Sequence, residues 1–323
     1  MPIACRALGL TAAVFAGAGS LAGQDLPLLH PMNLAAEARS GLYFQPLVPA
    51  DSGWHAAIGL DYASMIEINF RGSLSDTAYL QDAEALRLNL SLRHDLDPRN
   101  FLLGEAYLGG SYNGFLDAFL NWYHHLFGIR YPEREGRPLN SFGYYIELPD
   151  SRVIRFAPHG AYLGDLRFGF GHRFSDRLQS VLSVTLPTNT AGEGYARGNP
   201  SFSLLNTFRA PMTDRLIYEG SLSTGFTPRD GVLSPIQKTA FVLGTSGVRW
   251  RTFGGLWSFA NLYLHSPYYT GTGASQLDGW DFTIDFGWII RSKSGREFRF
   301  GMTEDLAPAG PAIDADFRFG FSW

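Results

Sequence analysis

Ala56-Ala57-Ile58-Gly59-Leu60-Asp61-Tyr62-Ala63-Ser64-Met65-Ile66-Glu67-Ile68-Asn69-Phe70 alternates with a period of two. Its even positions hold Ala56, Ile58, Leu60, Tyr62, Ser64, Ile66, Ile68 and Phe70, and its odd positions include Asp61, Glu67 and Asn69. Successive side chains of a strand point to opposite faces, so the stretch builds a strand with one apolar and one polar face. Such a register, held for about fifteen residues, is too long for most soluble sheets. It suits a tilted strand that crosses a bilayer with alternate side chains toward lipid and lumen.

The same alternation recurs along the chain. Leu86, Leu88, Leu90 and Leu92 alternate with Arg87, Asn89, Ser91 and Arg93. Leu166, Phe168 and Phe170 alternate with Asp165, Arg167 and Arg173, and Phe282, Ile284, Phe286 and Trp288 with Asp281, Thr283, Asp285 and Gly287. A soluble β-sandwich also alternates, but it turns its polar face outward and shares its apolar face with a second sheet. Here the apolar face is unusually large and aromatic. The closing segment, with Phe317, Phe319, Phe321 and Trp323 against Asp316, Arg318, Gly320 and Ser322, resembles the terminal signature by which outer-membrane barrels are recognised for insertion. That resemblance implies the barrel-assembly machinery as a partner through the strand ending at Trp323.

Short polar links at Asp97-Pro98-Arg99, Ser175-Asp176-Arg177, Thr213-Asp214-Arg215, Gly254-Gly255 and Lys293-Ser294-Gly295 alternate with long links at 72–81, 111–159, 188–199, 227–237, 267–278 and 305–313. Turn residues have a backbone reason to stand in the short links, and the alternation is that of periplasmic turns and external loops. It predicts an all-β, antiparallel transmembrane barrel of about twelve strands, at 54–71, 82–96, 100–110, 160–174, 178–187, 200–209, 216–226, 238–251, 256–266, 279–291, 296–304 and 314–323. A further pair at 141–148 and 152–157 extends one external hairpin. Trp54, Tyr218, Trp250, Trp288 and Trp323 fall near the periplasmic ends with outward parity, as an aromatic girdle does. Leu42–Leu47 could add to a strand but contains Pro46, which lacks a backbone donor.

Bulk composition agrees. Charged residues are 17% and aromatic residues 15% of 323, with 37 glycines, against roughly 25% charged in a soluble domain. The net charge of −4 offers no basic footprint for nucleic acid. Arg6, the apolar or small run 7–18 and Ser20-Leu21-Ala22 read as a signal peptide over residues 1–23. The run is too short for a helical anchor, which needs about 20 apolar residues. Residues 24–53 then form a periplasmic N-terminal segment and 54–323 the barrel. Cys5 is the single cysteine, so the exported chain has no disulfide framework and no thiol nucleophile.

The link 111–159 carries an amphipathic helix over 114–128. Asn113 can cap it and Gly128 can stop it. Phe115, Phe119, Trp122 and Leu126 form an apolar stripe opposite Asp117, Asn121 and His124 or His125. That stripe must be buried against the barrel mouth, the lumen or lipid headgroups. Leu116-Asp117, then His125-x-Phe127-Gly128 and a basic stretch ending Gly136-Arg137, resemble the motif of the family called domain of unknown function 3187. The resemblance implies an exported barrel and carries over no catalytic residue.

His124 and His125 diverge by about 100° on a helix and cannot chelate one metal together. Asp117 and His124 could approach within two turns, but a polar patch is the simpler reading, and no metal or other cofactor is expected. A lipid hydrolase would need a serine beside a histidine. His94, His159, His172 and His265 are available, yet His265-Ser266 are strand neighbours on opposite faces. Inward parity collects Arg87, Arg93, Arg167, Arg173, Arg249, Arg251, Arg299 and Arg318 against Asp61, Glu67, Glu105, Asp165, Glu219, Asp281, Asp285 and Asp316. Ion selectivity uses one sign in excess, whereas a balanced interior forms ion pairs. The expectation is an outer-membrane barrel, more readily a passive or gated channel for small polar solutes than an enzyme. Its lumen is lined by paired charges and partly occluded by the 114–128 helix. The alternatives are a lipid- or lipopolysaccharide-modifying enzyme and a non-transporting barrel that binds an apolar ligand or partner.

Overall fold

The computed structural model describes residues 32–37, 39–48, 50, 53–70, 77–128, 134, 136–294, 296–306, 310 and 313–323. The signal-peptide reading of residues 1–23, with Cys5, lies outside them. Among the described residues three short helices are present: α1 (Leu34–Glu37), α2 (Asp117–Leu126) and α3 (Ser275–Asp278). The strands are β1 (Gly53–Phe70), β2 (Thr77–Asp95), β3 (Asn100–Tyr112), β4 (Gly143–Glu147), β5 (Val153–Arg155), β6 (Tyr162–Leu163), β7 (Leu166–Ser175), β8 (Leu178–Leu186), β9 (Ser201–Thr213), β10 (Leu216–Phe226), β11 (Ala240–Phe253), β12 (Leu256–His265), β13 (Asp281–Arg291), β14 (Glu297–Asp305) and β15 (Ala315–Ser322).

Twelve of these strands form an antiparallel ring, as the alternation predicts. Each pairs with the next, skipping β4, β5 and β6, and β15 returns to pair with β1 from Ala57↔Ser322 to Ser64↔Ala315. The period-two sequences explain the two faces. Even residues of β1 and β2 point out and odd residues point in. The outer face carries exposed Phe168, Phe170, Leu204, Leu222, Leu262 and Phe319, a continuous apolar belt far larger than the scattered patches of a water-soluble monomer. Trp54, Tyr218, Trp250, Trp288 and Trp323 stand on the outward parity of their strands near the short-turn end.

At that end, Asp97 closes the first turn by accepting the N–H groups of Arg99 at 2.7 Å and Asn100 at 2.9 Å. At the other end the long links fold over the mouth. The β4–β5 hairpin extends β2 through Tyr79↔Ile146 to Asp82↔Gly143, matching the predicted extra pair. Tyr144, Tyr195, Ile236, Tyr269 and Leu277, from four of the long links, share one buried apolar cluster.

Two sequence expectations about position are corrected. Residues 32–48 do not hang outside as a periplasmic segment but run inside the ring, where every described residue is buried except the partly buried Glu37. The stretch 42–47 belongs to no strand. Nor does α2 enter the lumen. The Phe119 ring lies 6.1 Å from Phe317 and the Phe115 ring 5.2 Å from Tyr62, and both partners have outward parity. Asn113 does not cap α2. The Glu84 carboxylate accepts the N–H groups of Phe115 at 2.9 Å and Leu116 at 2.6 Å instead. Gly128, at φ 71°, ends the helix in the left-handed region that glycine enters without a Cβ penalty.

Small residues let rings lie across the inner wall. Phe101 faces Gly171 in the β3–β7 register and its ring occupies the space a Cβ there would need, with the Arg173 guanidinium 4.5 Å from that ring. Gly171→Leu is expected to cost about 1–3 kcal/mol by overpacking, read as a lower midpoint in urea unfolding. Gly244→Ala, where a Cβ meets nothing within 4 Å, should leave the midpoint nearly unchanged.

Candidate functional site in the barrel lumen

Inward side chains meet because register sets opposite charges across from one another. Asp61 lies opposite Arg87 on β2 and opposite Arg318 on β15. Arg318 donates to Asp61 at 3.1 Å and stands 3.7 Å from both Asp285 and Asp316. Asp285 also pairs with Arg299 and accepts from Thr303 at 3.3 Å and Tyr263 at 3.4 Å. Nearer the short-turn end, Asp95 takes Arg173 at 2.8 Å and Arg93 at 3.2 Å, and Glu219 takes Arg209 and Arg249. Toward the long loops, Glu105 pairs with Arg167 at 2.8 Å and Asp165 with Arg197 at 2.6 Å. Asp281 is buried opposite His265. Arg251 departs from the inward reading: it is exposed at the short-turn end, 4.9 Å over the Trp257 ring.

The remaining donors of this wall hold residues 32–48. Asn33 caps α1 through its side-chain oxygen, 2.8 Å from the Ala35 N–H, and donates to Glu67 at 3.1 Å. Glu37 pairs with Arg87 at 2.9 Å, and Arg39 reaches Asp230 and Gln237, each at 3.2 Å. From there the segment descends as extended chain that belongs to no named strand. Side chains of the ring and of one long link donate to its carbonyls: Arg197 to Glu37 at 3.0 Å, Arg167 to Gly41 at 3.1 Å, Thr207 to Gln45 at 2.8 Å and Arg173 to Val48 at 3.0 Å. Gln179 both donates to the Pro46 carbonyl and accepts the Val48 N–H, each at 3.2 Å. The Arg167 guanidinium also stacks 4.1 Å over Tyr43.

Space in the lumen is divided by this segment. A vestibule of about 520 Å³ opens at the short-turn end beside Leu47, Val48, Arg173 and Arg209. A second space of about 260 Å³ lies under the long loops beside Arg39, Arg197, Glu193 and Asp230. Between them, beside Glu37, Asp61, Arg87 and Arg167, a cavity of about 60 Å³ remains. The lumen is plugged by its own N-terminal segment.

Threading the segment inside also creates a serine–histidine contact that sequence spacing does not show. Ser40 Oγ lies 2.9 Å from His265 Nε2, and His265 Nδ1 donates to the Ser266 carbonyl at 2.5 Å. Both side chains are buried, and the imidazole stacks 4.1 Å from the Tyr268 ring. The contact fastens the plug and presents no accessible nucleophile.

The helix candidates lie on the outer wall, away from this site. Asp117 pairs with Arg134 and accepts the Asn140 N–H at 2.6 Å. His124 is buried 3.4 Å from Asp314. Asn121 is partly buried and His125 exposed. Among the described residues no three His, Cys, Asp or Glu side chains gather as a metal site. Sequence reading missed Arg134 and Arg197, which stand in links without periodicity, Asp314, which just precedes β15, and Asp82 and Glu84. The last two had a signal: both occupy outward parity on β2, where a carboxylate needs cover.

The family model described as protein of unknown function (DUF3187) matches residues 14–321. The chain has no match among curated proteins. Among solved structures, the COG4313 outer membrane channel from Pseudomonas putida F1 superposes with a TM-score of 0.55 at 11% identity, over 84% of this chain and 95% of that chain. The Pseudomonas putida toluene transporter TodX gives 0.43 at 9% identity over 84% and 90%, and the KdgM porin 0.39 at 10% over 83% and 98%. At 11% identity the first likeness concerns the fold, that of outer membrane barrels, and the two lower scores carry no argument.

Asp285 joins two buried guanidinium groups, so Asp285→Ala is expected to destabilise by about 3–5 kcal/mol, the range for removing one partner of a buried ion pair. Urea unfolding should show it, with Asp285→Asn losing less because an acceptor remains.

Proposed function

The chain belongs to the DUF3187 family, whose function is unknown, and we propose that it is a gated outer-membrane channel for small polar solutes, closed at rest by residues 32–48. In this reading the short turns face the periplasm and the long loops the exterior. The aromatic residues from Trp54 to Trp323 form the periplasmic girdle, and the strand ending at Trp323 engages the assembly machinery.

The observation that carries the reading is how the plug is held. Arg167, Arg173, Arg197, Gln179 and Thr207 bind its backbone through individual hydrogen bonds, two of them at Gln179, beside the Glu37–Arg87 and Arg39–Asp230 ion pairs. Such bonds contribute about 0.5–1.5 kcal/mol net each between neutral groups and about 1.5–3 kcal/mol from a guanidinium, because water can replace the partner. Withdrawal of the segment would join the two vestibules into a wetted passage lined by compensated charges, suited to polar solutes without selecting one ion sign. The described likeness to a protein called an outer membrane channel supports the same class. The buried Ser40–His265 contact lends nothing to a lipid-modifying enzyme.

Planar-bilayer recording tests it. The intact chain should give small, infrequent openings, and deletion of residues 32–48 a steady conductance. A disulfide between Gln45→Cys and Thr207→Cys should abolish openings until it is reduced; Cys5, the single cysteine, does not interfere once the signal peptide is removed. A deletion variant that inserts as a folded barrel yet stays silent would reject the channel. Unchanged openings in the cross-linked form would reject the gate.

A further inference from the structure

The insertion between β3 and β6 reverses the arrangement of an ordinary surface helix. α2 buries its polar side, with Asp117 7% and His124 6% exposed, and leaves Trp122 60% and Leu126 64% exposed. A helix bathed in water does the opposite.

The cause lies in the wall beneath it. Ser64 on β1 and Asp82 and Glu84 on β2 have outward parity, in line with Tyr62 and Leu86. Bare in hydrocarbon, these polar groups would lack partners. The insertion supplies them. Arg134 donates to Ser64 at 3.2 Å and pairs with Asp117 and Asp314. Arg137 and the Ser141 hydroxyl each donate to Asp82 at 2.5 Å. Glu84 accepts the Tyr62 hydroxyl and the first N–H groups of the α2 segment.

The outer side of the insertion then continues the apolar belt. Phe119 lies against Phe317 and Phe115 against Tyr62. Tyr62 is eight residues along β1 from Trp54 and Phe317 six along β15 from Trp323. At ~3.3 Å per residue and a strand tilt of roughly 40°, these contacts sit about 15–20 Å above the girdle, inside an apolar band about 25 Å tall.

We propose that α2 is a lipid-facing helix: Phe115, Phe119, Trp122, Leu126 and Phe127 enter the acyl region of the bilayer near the long-loop rim, while Asp82–Arg137 and Asp117–Arg134–Asp314 tie the helix to the wall. Continuity with the belt names the occupant as membrane hydrocarbon. The inference needs the barrel to stand in a membrane and is independent of gating.

Spin labels test it, with Cys5 absent from the exported chain. The full-length protein in phosphatidylethanolamine–phosphatidylglycerol vesicles would carry one label at position 122 or 126, with position 262 on the belt and 151 at the β4–β5 tip as references. Labels at 122 and 126 should match 262, open to oxygen and shielded from a water-soluble nickel chelate, and differ from 151. Nickel access at 122 and 126 equal to that at 151 would overturn the proposal, as would dipolar broadening between copies. Nickel access at 262 would overturn the membrane placement itself. Arg134→Ala should shift the 122 label toward nickel access; a 122 label unmoved in a folded variant would overturn the role of the tie.

Discussion

A strand edge inside hydrocarbon has no water to satisfy its N–H and C=O groups, and this constraint governs the molecule. β1 and β15, at opposite ends of the sequence, remove both edges at once by pairing from Ala57↔Ser322 to Ser64↔Ala315. Closure makes the period-two alternation into an inside and an outside with nothing between them. Every odd residue of β1 and β2 is then committed to a narrow interior, charged or not.

Compensation follows from that commitment. Charges confined to a lumen shielded from water must find partners, and register provides many of them directly, as with Asp61 opposite Arg87 and Arg318 or Glu105 opposite Arg167. The wall still has donors to spare, and the segment 32–48 has carbonyls that accept them. Each satisfies the other. Pro46 illustrates the fit, since it cannot donate to a sheet but its carbonyl accepts from Gln179.

The exterior obeys the same rule in reverse. Where β1 and β2 carry Ser64, Asp82 and Glu84 outward, the insertion that holds α2 supplies their partners, Arg134 for Ser64, Arg137 for Asp82 and the N–H groups just before α2 for Glu84. One chain thus satisfies misplaced polarity on both faces by laying a separate segment over it.

The barrel was legible because its signal is local. Strand parity, turn chemistry and strand count need only neighbours in sequence, so the twelve strands and the added β4–β5 pair could be read directly. The inward charges could be read too, except Arg251, where parity outlasts the lumen at the strand end. Where the plug and α2 lie could not be read. Residues 32–48 have no periodicity, and many of their partners, such as Arg173 or Tyr269, are more than a hundred residues away. The amphipathic pattern of α2 fixes which side is apolar but not which solvent that side meets. Local periodicity determined the wall; only long-range pairing of leftover donors, acceptors and charges decided what fills it and what covers it.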